Sequence, residues 1–327
     1  MRPTLPLLLA LAALPAAAAE PTLDACLSGL RPQALAQGIT GATWDTHTAK
    51  LARDQGVLDS LDYQPEFRTP IWDYLAGLVD EQRVADGRAM LEEHAPLLAR
   101  VQDAHGVDPA TVVAVWGVES DFGRTFGKKP LLGSLATLSC EGRRQDFFRG
   151  ELFATLKLIQ AGDLSPEGLV GSWAGAMGQS QFMPSSFLSY AQDGDGDGKK
   201  DIWTNELDVF ASIANYLKQQ GWDYSKTWGR EVILPEDFDI TNAIARGSLQ
   251  RSEWLGRWAQ SERSLADWNK LGLQRLNKTA LPARDLTAAL VLPDGEGGRA
   301  FLAYDNYKVL MHWNRSYYFV TSVGYLA

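Results

Sequence analysis

Cysteine and histidine are scarce in this chain, with two and four among 327 residues. No Cys-His pair suggests a nucleophile and the scattered histidines give no zinc-ligand spacing, which removes thiol catalysis and a zinc site as readings. Positive charge is in deficit too. The 31 Lys and Arg face 40 Asp and Glu, and the net charge of −9 has the wrong sign for a nucleic-acid partner. Nor does it give long-range help in finding an anionic polymer. No organic-cofactor motif, internal repeat, low-complexity tract or clear linker interrupts the chain. Long apolar runs are missing: Leu5 to Leu14 is too short for a stable membrane anchor. With Arg2 before it and an Ala-x-Ala site at Ala17 to Ala19 after it, that run reads as a signal peptide over residues 1–19. Lipidation at Cys26 fits poorly, because Asp24 and Ala25 precede it and the Ala-x-Ala site lies well upstream. The expectation is a protein of residues 20–327 exported to the periplasm without stable membrane insertion.

Cys26 and Cys140 both fall in the exported part, where a single disulfide is the default and two separate thiols the alternative. Aromatic residues, in contrast, are plentiful, with 11 Trp and 10 Tyr. Such rings stack on sugars without needing positive charge, or else they build the core.

Asp108 to Gly123 organises the chain. Asp108 suits an N-cap, Pro109 the first helical position, and Gly123 a left-handed helix end. The residues between are almost all apolar, which predicts a buried helix with Glu119 in its last turn. Apolar neighbours and the negative end of the helix dipole both raise the pKa of that carboxyl, and no Lys or Arg lies one turn away to oppose them. A carboxylic acid kept protonated near neutral pH can protonate a glycosidic oxygen. The competing readings are a buried Glu paired with a distant Arg, or a helix end that reaches water.

The rest is mostly helical in pattern. One helix is predicted over Asp86 to Ala104 with a kink at Pro96, a short one at Ser134 to Leu138, and others over Arg143 to Gln160 and Asp208 to Gln220. Tyr216 lies off the apolar stripe of the last, turned toward a cleft. Glu231 to Leu234 and Ala288 to Leu292 read as strands, with Trp254, Trp258 and Trp268 on helices between them. Gly171 to Phe187 carries four glycines and the amides of Gln179 and Gln181, a composition suited to a cleft floor that hydrogen-bonds a sugar; an ordinary tight loop accounts for the glycines alone.

Asp193, Asp195, Asp197 and Asp201, with Gly198 among them, match positions 1, 3, 5 and 9 and Gly at 6 of a calcium loop, and Lys199 offers its carbonyl at position 7. Thr204 stands where the bidentate Glu is expected. We therefore read a lengthened EF-hand-like loop, 193–208, closed by Asp208, with Glu206 as rival and a structural calcium ion as its cargo.

Several motifs then occur in one order. Val115-Trp116-Gly117-Val118-Glu119-Ser120, Gly123-Arg124 and Leu135-Ala136-Thr137-Leu138 come first. Gly175-Ala176-Met177-Gly178, Gln181-Phe182-Met183-Pro184-Ser185-Ser186 and Ile213-Ala214-Asn215-Tyr216-Leu217 follow. Together they resemble the membrane-bound lytic transglycosylase B family over essentially the whole exported chain. The resemblance implies a mainly α (α+β) fold: a lysozyme-like helical core over roughly 105–225 with a small β-containing subdomain. It implies cleavage of the MurNAc–GlcNAc β-1,4 bond of peptidoglycan glycan strands without water. Glu119 corresponds to the family's single acid and base, and Ser172, Gln181 and Tyr216 to residues lining its sugar subsites. Tyr307, Trp313 and Asn314 are looser matches to the aromatic segment that also lines the cleft. The lipid anchor that names the family is not expected here, since lipidation at Cys26 fits poorly. A water-admitting muramidase and a non-catalytic peptidoglycan-binding scaffold remain the rivals.

Overall fold

The computed structural model describes residues 22–61, 70–241, 243–245 and 251–327. The expected signal peptide, and a polar loop read around Tyr63 to Phe67, lie outside the described residues. In chain order the helices begin with α1 (Leu23–Ala36), α2 (Gly41–Thr48), α3 (Gln55–Leu61), α4 (Ile71–Leu78), α5 (Glu81–Glu93), α6 (Ala95–His105) and α7 (Pro109–Ser120). After strand β1 (Lys129–Pro130) come α8 (Leu131–Cys140) and α9 (Gln145–Ala161), then β2 (Val170–Gly171), α10 (Pro184–Tyr190) and α11 (Glu206–Gln219). The last third holds β3 (Gly229–Ile233), β4 (Ile244–Ala245), α12 (Arg251–Ser261), β5 (Arg263–Ser264), α13 (Leu265–Lys270) and β6 (Gln274–Arg275). It ends with β7 (Thr287–Leu292), β8 (Ala300–Ala303), α14 (Asp305–Trp313) and α15 (Tyr317–Leu326). The fold is mainly helical with a small sheet, as expected.

Helix α7 lies at the centre, packed against α5, α6, α11 and α15. Its sequence demands that position. Val112, Val113, Ala114, Val115 and Trp116 cover every side of the helix, and all five are buried. Asp108 caps its start by accepting the Thr111 N–H at 2.9 Å. Ahead of it, the single helix predicted over Asp86 to Ala104 is instead two. The chain breaks at His94, and Pro96 falls in the first turn of α6, where a residue without an N–H leaves no hydrogen bond unmade. The His94 ring fills the corner, edge-on to Trp116 and Phe210. Helix α11 starts at Glu206, two residues before the expected Asp208, because Asn205 caps it by accepting the Leu207 N–H at 3.0 Å.

The main sheet runs β4-β7-β8-β3-β6, with β5 paired to β7. All its pairings are antiparallel except the parallel β4–β7. Both predicted strands are present, in β3 and β7. The uninterrupted apolar run of β7 is explained by burial on both faces. Ala289 and Val291 face the large helical core, while Ala288, Leu290 and Leu292 face a second core with Leu265, Trp268 and Leu302. The sheet leads the chain end back, so that α15 packs on α4, α5 and α7. Strands β1 and β2 pair antiparallel and bring the segment after Gly171 beside the exit of α7.

Cys26 and Cys140 form the expected disulfide, joining α1 to the end of α8 across a sequence separation of 114 residues. Closing so long a loop restricts the unfolded chain by roughly 4 kcal/mol. Replacing both cysteines with serine is expected to lower the urea-unfolding free energy by that order. A loss under about 1 kcal/mol would show that α1 is held by packing alone.

Candidate active site

Glu119 occupies the last full turn of α7, and the way the helix ends fixes it. The sequence predicts a stop at Gly123. The structure stops at Ser120 and passes through three successive left-handed residues, Asp121 (φ 52°), Phe122 (φ 54°) and Gly123 (φ 77°). Asp tolerates that region, but for Phe it is strained by about 1–3 kcal/mol and must be held from outside. The Phe122 ring packs edge-on against Trp116 at 5.6 Å, with the guanidiniums of Arg83 and Arg124 over it at 6.0 and 5.7 Å. Gly117 makes the room, since a Cβ there would lie 2.6 Å from that ring. Arg83 also donates to the Gly117 carbonyl at 2.7 Å and pairs with Asp121 at 3.3 Å, and Arg124 pairs with Asp86 at 2.6 Å.

The Glu119 carboxyl takes one described hydrogen bond, from Trp313 Nε1 to Oε1 at 2.6 Å. Burial lifts its pKa from an ordinary 4.5 to about 7, and the Trp313 bond pulls weakly the other way. Trp313 ends α14, and its ring lies 4.7 Å from Tyr216 and 5.3 Å from Phe182. Tyr216 donates its hydroxyl to the His312 carbonyl at 2.7 Å and packs against Tyr190 at 4.5 Å. Phe182, Tyr190, Tyr216 and Trp313 thus form one aromatic cluster next to the acid, drawn from three separate stretches of chain.

The glycine-rich stretch folds back on itself as a small hairpin. Ser172 N–H donates to the Ala176 carbonyl at 2.8 Å, and Met177 and Phe182 exchange bonds at 2.8 and 3.1 Å. Ser172 Oγ accepts the Ala176 N–H at 3.0 Å. Gln181 takes a left-handed φ of 49° and donates to the Gly178 and Phe126 carbonyls at 2.7 and 3.2 Å. Both side chains are half-buried, and the Phe182 ring that follows Gln181 joins the cluster around Trp313. Asn314 is exposed beside Trp313 and accepts the Ser316 N–H at 3.1 Å.

Tyr307 corrects the sequence reading. It is fully buried between Trp228 and Trp258, so its ring is part of the core and lines no cleft. Gln179 likewise faces inward. Two residues that the sequence does not single out also take part. Tyr190 packs into the aromatic cluster, and Glu151 is buried, its carboxylate accepting both the N–H and the hydroxyl of Ser185 at 2.9 and 2.8 Å. That anchors the start of α10, directly after the hairpin.

In the acidic loop, carboxylate oxygens of Asp193, Asp195 and Asp197 lie within 4.8 Å of one another, the one such group of metal-ligating side chains among the described residues. Backbone N–H groups wrap them: Gly196, Asp197 and Gly198 all donate to Asp193, at 2.6, 3.1 and 2.8 Å. The donor set is all hard oxygen and fits a calcium-type cation. Lys199 is exposed and its N–H donates to Asp197. Asp208, expected as the ligand that closes the loop, stands outside that group with both carboxylate oxygens taken by backbone N–H groups, and it braces the loop together with Asp201. Asp201 accepts the Trp203 and Thr204 N–H groups, while Asp208, fully buried, accepts those of Gly194 and Asp201 at 2.7 and 2.6 Å. Burial, with Asp195 and Asp193 nearby, raises the Asp208 pKa.

The raised pKa of Glu119 has a consequence for stability. A carboxyl whose folded pKa exceeds its unfolded one favours the fold while protonated, so the contribution is complete below about 4.5 and lost as pH rises through about 7. Glu119→Gln cannot ionise. It should match the wild type in urea-unfolding free energy at pH 4 and exceed it at pH 8.5 by up to about 3 kcal/mol, less as water reaches the half-buried side chain. An equal difference at both pH values would sink the assignment.

Residues 22–327 match the family described as Transglycosylase SLT domain. The membrane-bound lytic murein transglycosylase B of Escherichia coli (strain K12) is 39% identical over 163 residues, which are 50% of this chain and 42% of that protein. The chain thus matches less than half the length of that relative. SltB3 from Pseudomonas aeruginosa, crystallised with NAG-anhNAM-pentapeptide, superposes with a TM-score of 0.83 at 40% identity, covering 93% of this chain and 78% of that one. Escherichia coli Slt35 in complex with calcium gives a TM-score of 0.73 at 26% identity, covering 94% and 91%. By sequence and by fold, this chain belongs to the lytic transglycosylase family with the SLT domain.

Proposed function

We propose that the protein is a lytic murein transglycosylase that acts in the periplasm on peptidoglycan glycan strands, cleaving the MurNAc–GlcNAc β-1,4 bond without water. The observation that carries this is the Glu119 carboxyl, with its pKa at about 7 and Trp313 as donor, while the nearest acid in sequence is tied up in ion pairs. Asp121, two residues on, is turned to Arg83 and Arg124. Glycosidases that admit water use two carboxyl groups across the scissile bond. A single acid suits a reaction in which the substrate supplies its own nucleophile. The relatives point the same way: one is a membrane-bound lytic murein transglycosylase, and one neighbour was crystallised with NAG-anhNAM-pentapeptide.

In this mechanism the protonated form of Glu119, a substantial fraction near neutral pH, gives its proton to the glycosidic oxygen as the bond from that oxygen to C1 of MurNAc breaks. The N-acetyl oxygen of MurNAc stabilises C1 in the interval. Trp313 Nε1 stabilises the carboxylate that results, leaving Oε2 to meet the substrate. Glu119 then takes the proton of the C6 hydroxyl, O6 bonds to C1, and a 1,6-anhydro end forms. Ser172, Gln181, Tyr216 and Asn314 are assigned to orient the sugars, with the Trp313 cluster as a stacking surface. Asp193, Asp195, Asp197, the Lys199 carbonyl and Asp201 are assigned to a structural calcium site, with Asp208 as its inner brace.

Mass spectrometry of muropeptides released from purified peptidoglycan tests the chemistry. Products one water lighter than hydrolytic ones are expected, with release falling as pH rises above about 7, and Glu119→Gln should lose roughly 10³-fold or more in rate. Reducing-end products would make the protein a muramidase, and binding without release a scaffold. Calorimetry tests the ion. Calcium should bind with a Kd in the range of about 10⁻⁷–10⁻³ M and raise the melting temperature, and Asp195→Asn should weaken it at least tenfold. Unchanged binding in Asp195→Asn would remove the loop as the site.

A further inference from the structure

Gln179 is expected from sequence to offer its amide to a sugar, and the structure gives it another task. Its side chain is 6% exposed and both of its polar atoms are engaged. Oε1 accepts Trp116 Nε1 at 2.8 Å, and Nε2 donates to the Trp203 carbonyl at 2.8 Å. Its backbone N–H donates to the Ile202 carbonyl, also at 2.8 Å. One residue therefore joins two places that the chain keeps far apart. Trp116 stands three residues before Glu119, a neighbour on the helix surface. Ile202 and Trp203 form the exit of the acidic loop, where Asp201 accepts the Trp203 N–H at 2.8 Å and donates its own N–H to Asp208 at 2.6 Å.

The surroundings leave this amide no slack. A Cβ at Gly123 would lie 2.3 Å from Gln179 Oε1, and one at Gly178 would lie 2.5 Å from the Ile202 carbonyl oxygen. Both glycines have left-handed φ, +77° and +60°, so the backbone conformation and the close approach exclude a side chain together. Without the amide, the buried Trp116 N–H and the Trp203 carbonyl would both lose their partner. Local rearrangement is the easier outcome, and it would fall on the last turn of α7, where Trp116 and Glu119 lie together ahead of the strained exit.

We propose that Gln179 is a positioning residue for Glu119, holding the last turn of α7 in register with the exit of the acidic loop. It touches no substrate. The proposal rests on the reading of Glu119 as the acid, so its test includes a measurement that needs no turnover.

Gln179→Met keeps the volume and removes the polar atoms. Its kcat is expected to fall about 10- to 100-fold, the scale of a misplacement near 1 Å, with KM within about twofold because the sugar contacts remain. Gln179→Glu separates register from packing. When protonated, the introduced carboxyl can accept from Trp116 and donate to Trp203 as the amide does. The ratio of its kcat to that of the wild type should therefore be close to one in acid and fall as pH rises. Titration of the ¹³C-labelled Glu119 carboxyl in Gln179→Met should show its pKa displaced by more than half a unit. A Gln179→Met enzyme with kcat near the wild type overturns the proposal. So does a fall in the melting temperature and a rise in KM with kcat retained, or a Gln179→Glu ratio flat with pH. If the wild type releases no product, the functional reading fails on its own, and the Glu119 titration still decides the positioning role.

Discussion

Burying one carboxyl at the end of an apolar helix is the constraint on which the rest depends. Desolvation that lifts Glu119 to about 7 requires protein packed around the end of α7, and α5, α6, α11 and α15 supply it around a side chain that stays half-buried. A helix that ended in the usual way, at a glycine open to water, would wet the acid from below. Instead the chain turns through Asp121 and Phe122 in left-handed conformations and folds the Phe122 ring back against Trp116 and Gly117. The strain is tolerable only because Arg83, Trp116 and Arg124 hold the ring in place.

The acid's partner comes from the far end of the chain. Trp313 is 194 residues from Glu119, and its position is set by α14 and by Tyr216 and Phe182 beneath it. The sheet makes that return possible. Strand β7 is apolar on both faces, which lets one strand serve the helical core with Ala289 and Val291 and the second core with Leu290 and Leu292. The last helix then lies against α7 instead of extending into water. The β-containing part is thus the scaffold that delivers an indole N–H to a carboxyl.

Much of this was legible in the sequence, and the misses share a cause. Asp108, Pro109 and the apolar run fixed α7, because capping and periodicity are local properties. Glu119 stood out because a lone acid in that run has no solvated face to occupy. The disulfide followed from compartment and count. The left-handed Phe122 could not be read, since its strain is balanced by residues distant in sequence. Pro96 was read as a kink, when the same ring is better placed starting a helix after His94. Tyr307 and Gln179 were misjudged for one reason. An aromatic ring or an amide looks the same in sequence whether it faces a cleft or the core, and only tertiary packing separates the two. Glu151 was invisible because its partner Ser185 lies 34 residues away.

Arg83 and Arg124 lie close to the exit of α7, and an unpaired cation there would lower the pKa of the acid. Each is matched: Arg83 by Asp121, and Arg124 by Asp86 and Asp121. Half-exposed pairs of this kind are worth at most about 1 kcal/mol to stability, which is little reason to build three of them. Their value lies in the field they cancel. With the guanidiniums neutralised, burial and the opposing Trp313 hydrogen bond set the protonation of Glu119, and the cations remain available to hold the Phe122 ring. A chain of net charge −9 offers an anionic strand no electrostatic attraction. Under the proposed function, recognition must then come from rings and hydrogen bonds at short range, and the aromatic cluster of Phe182, Tyr190, Tyr216 and Trp313 is where such contacts concentrate.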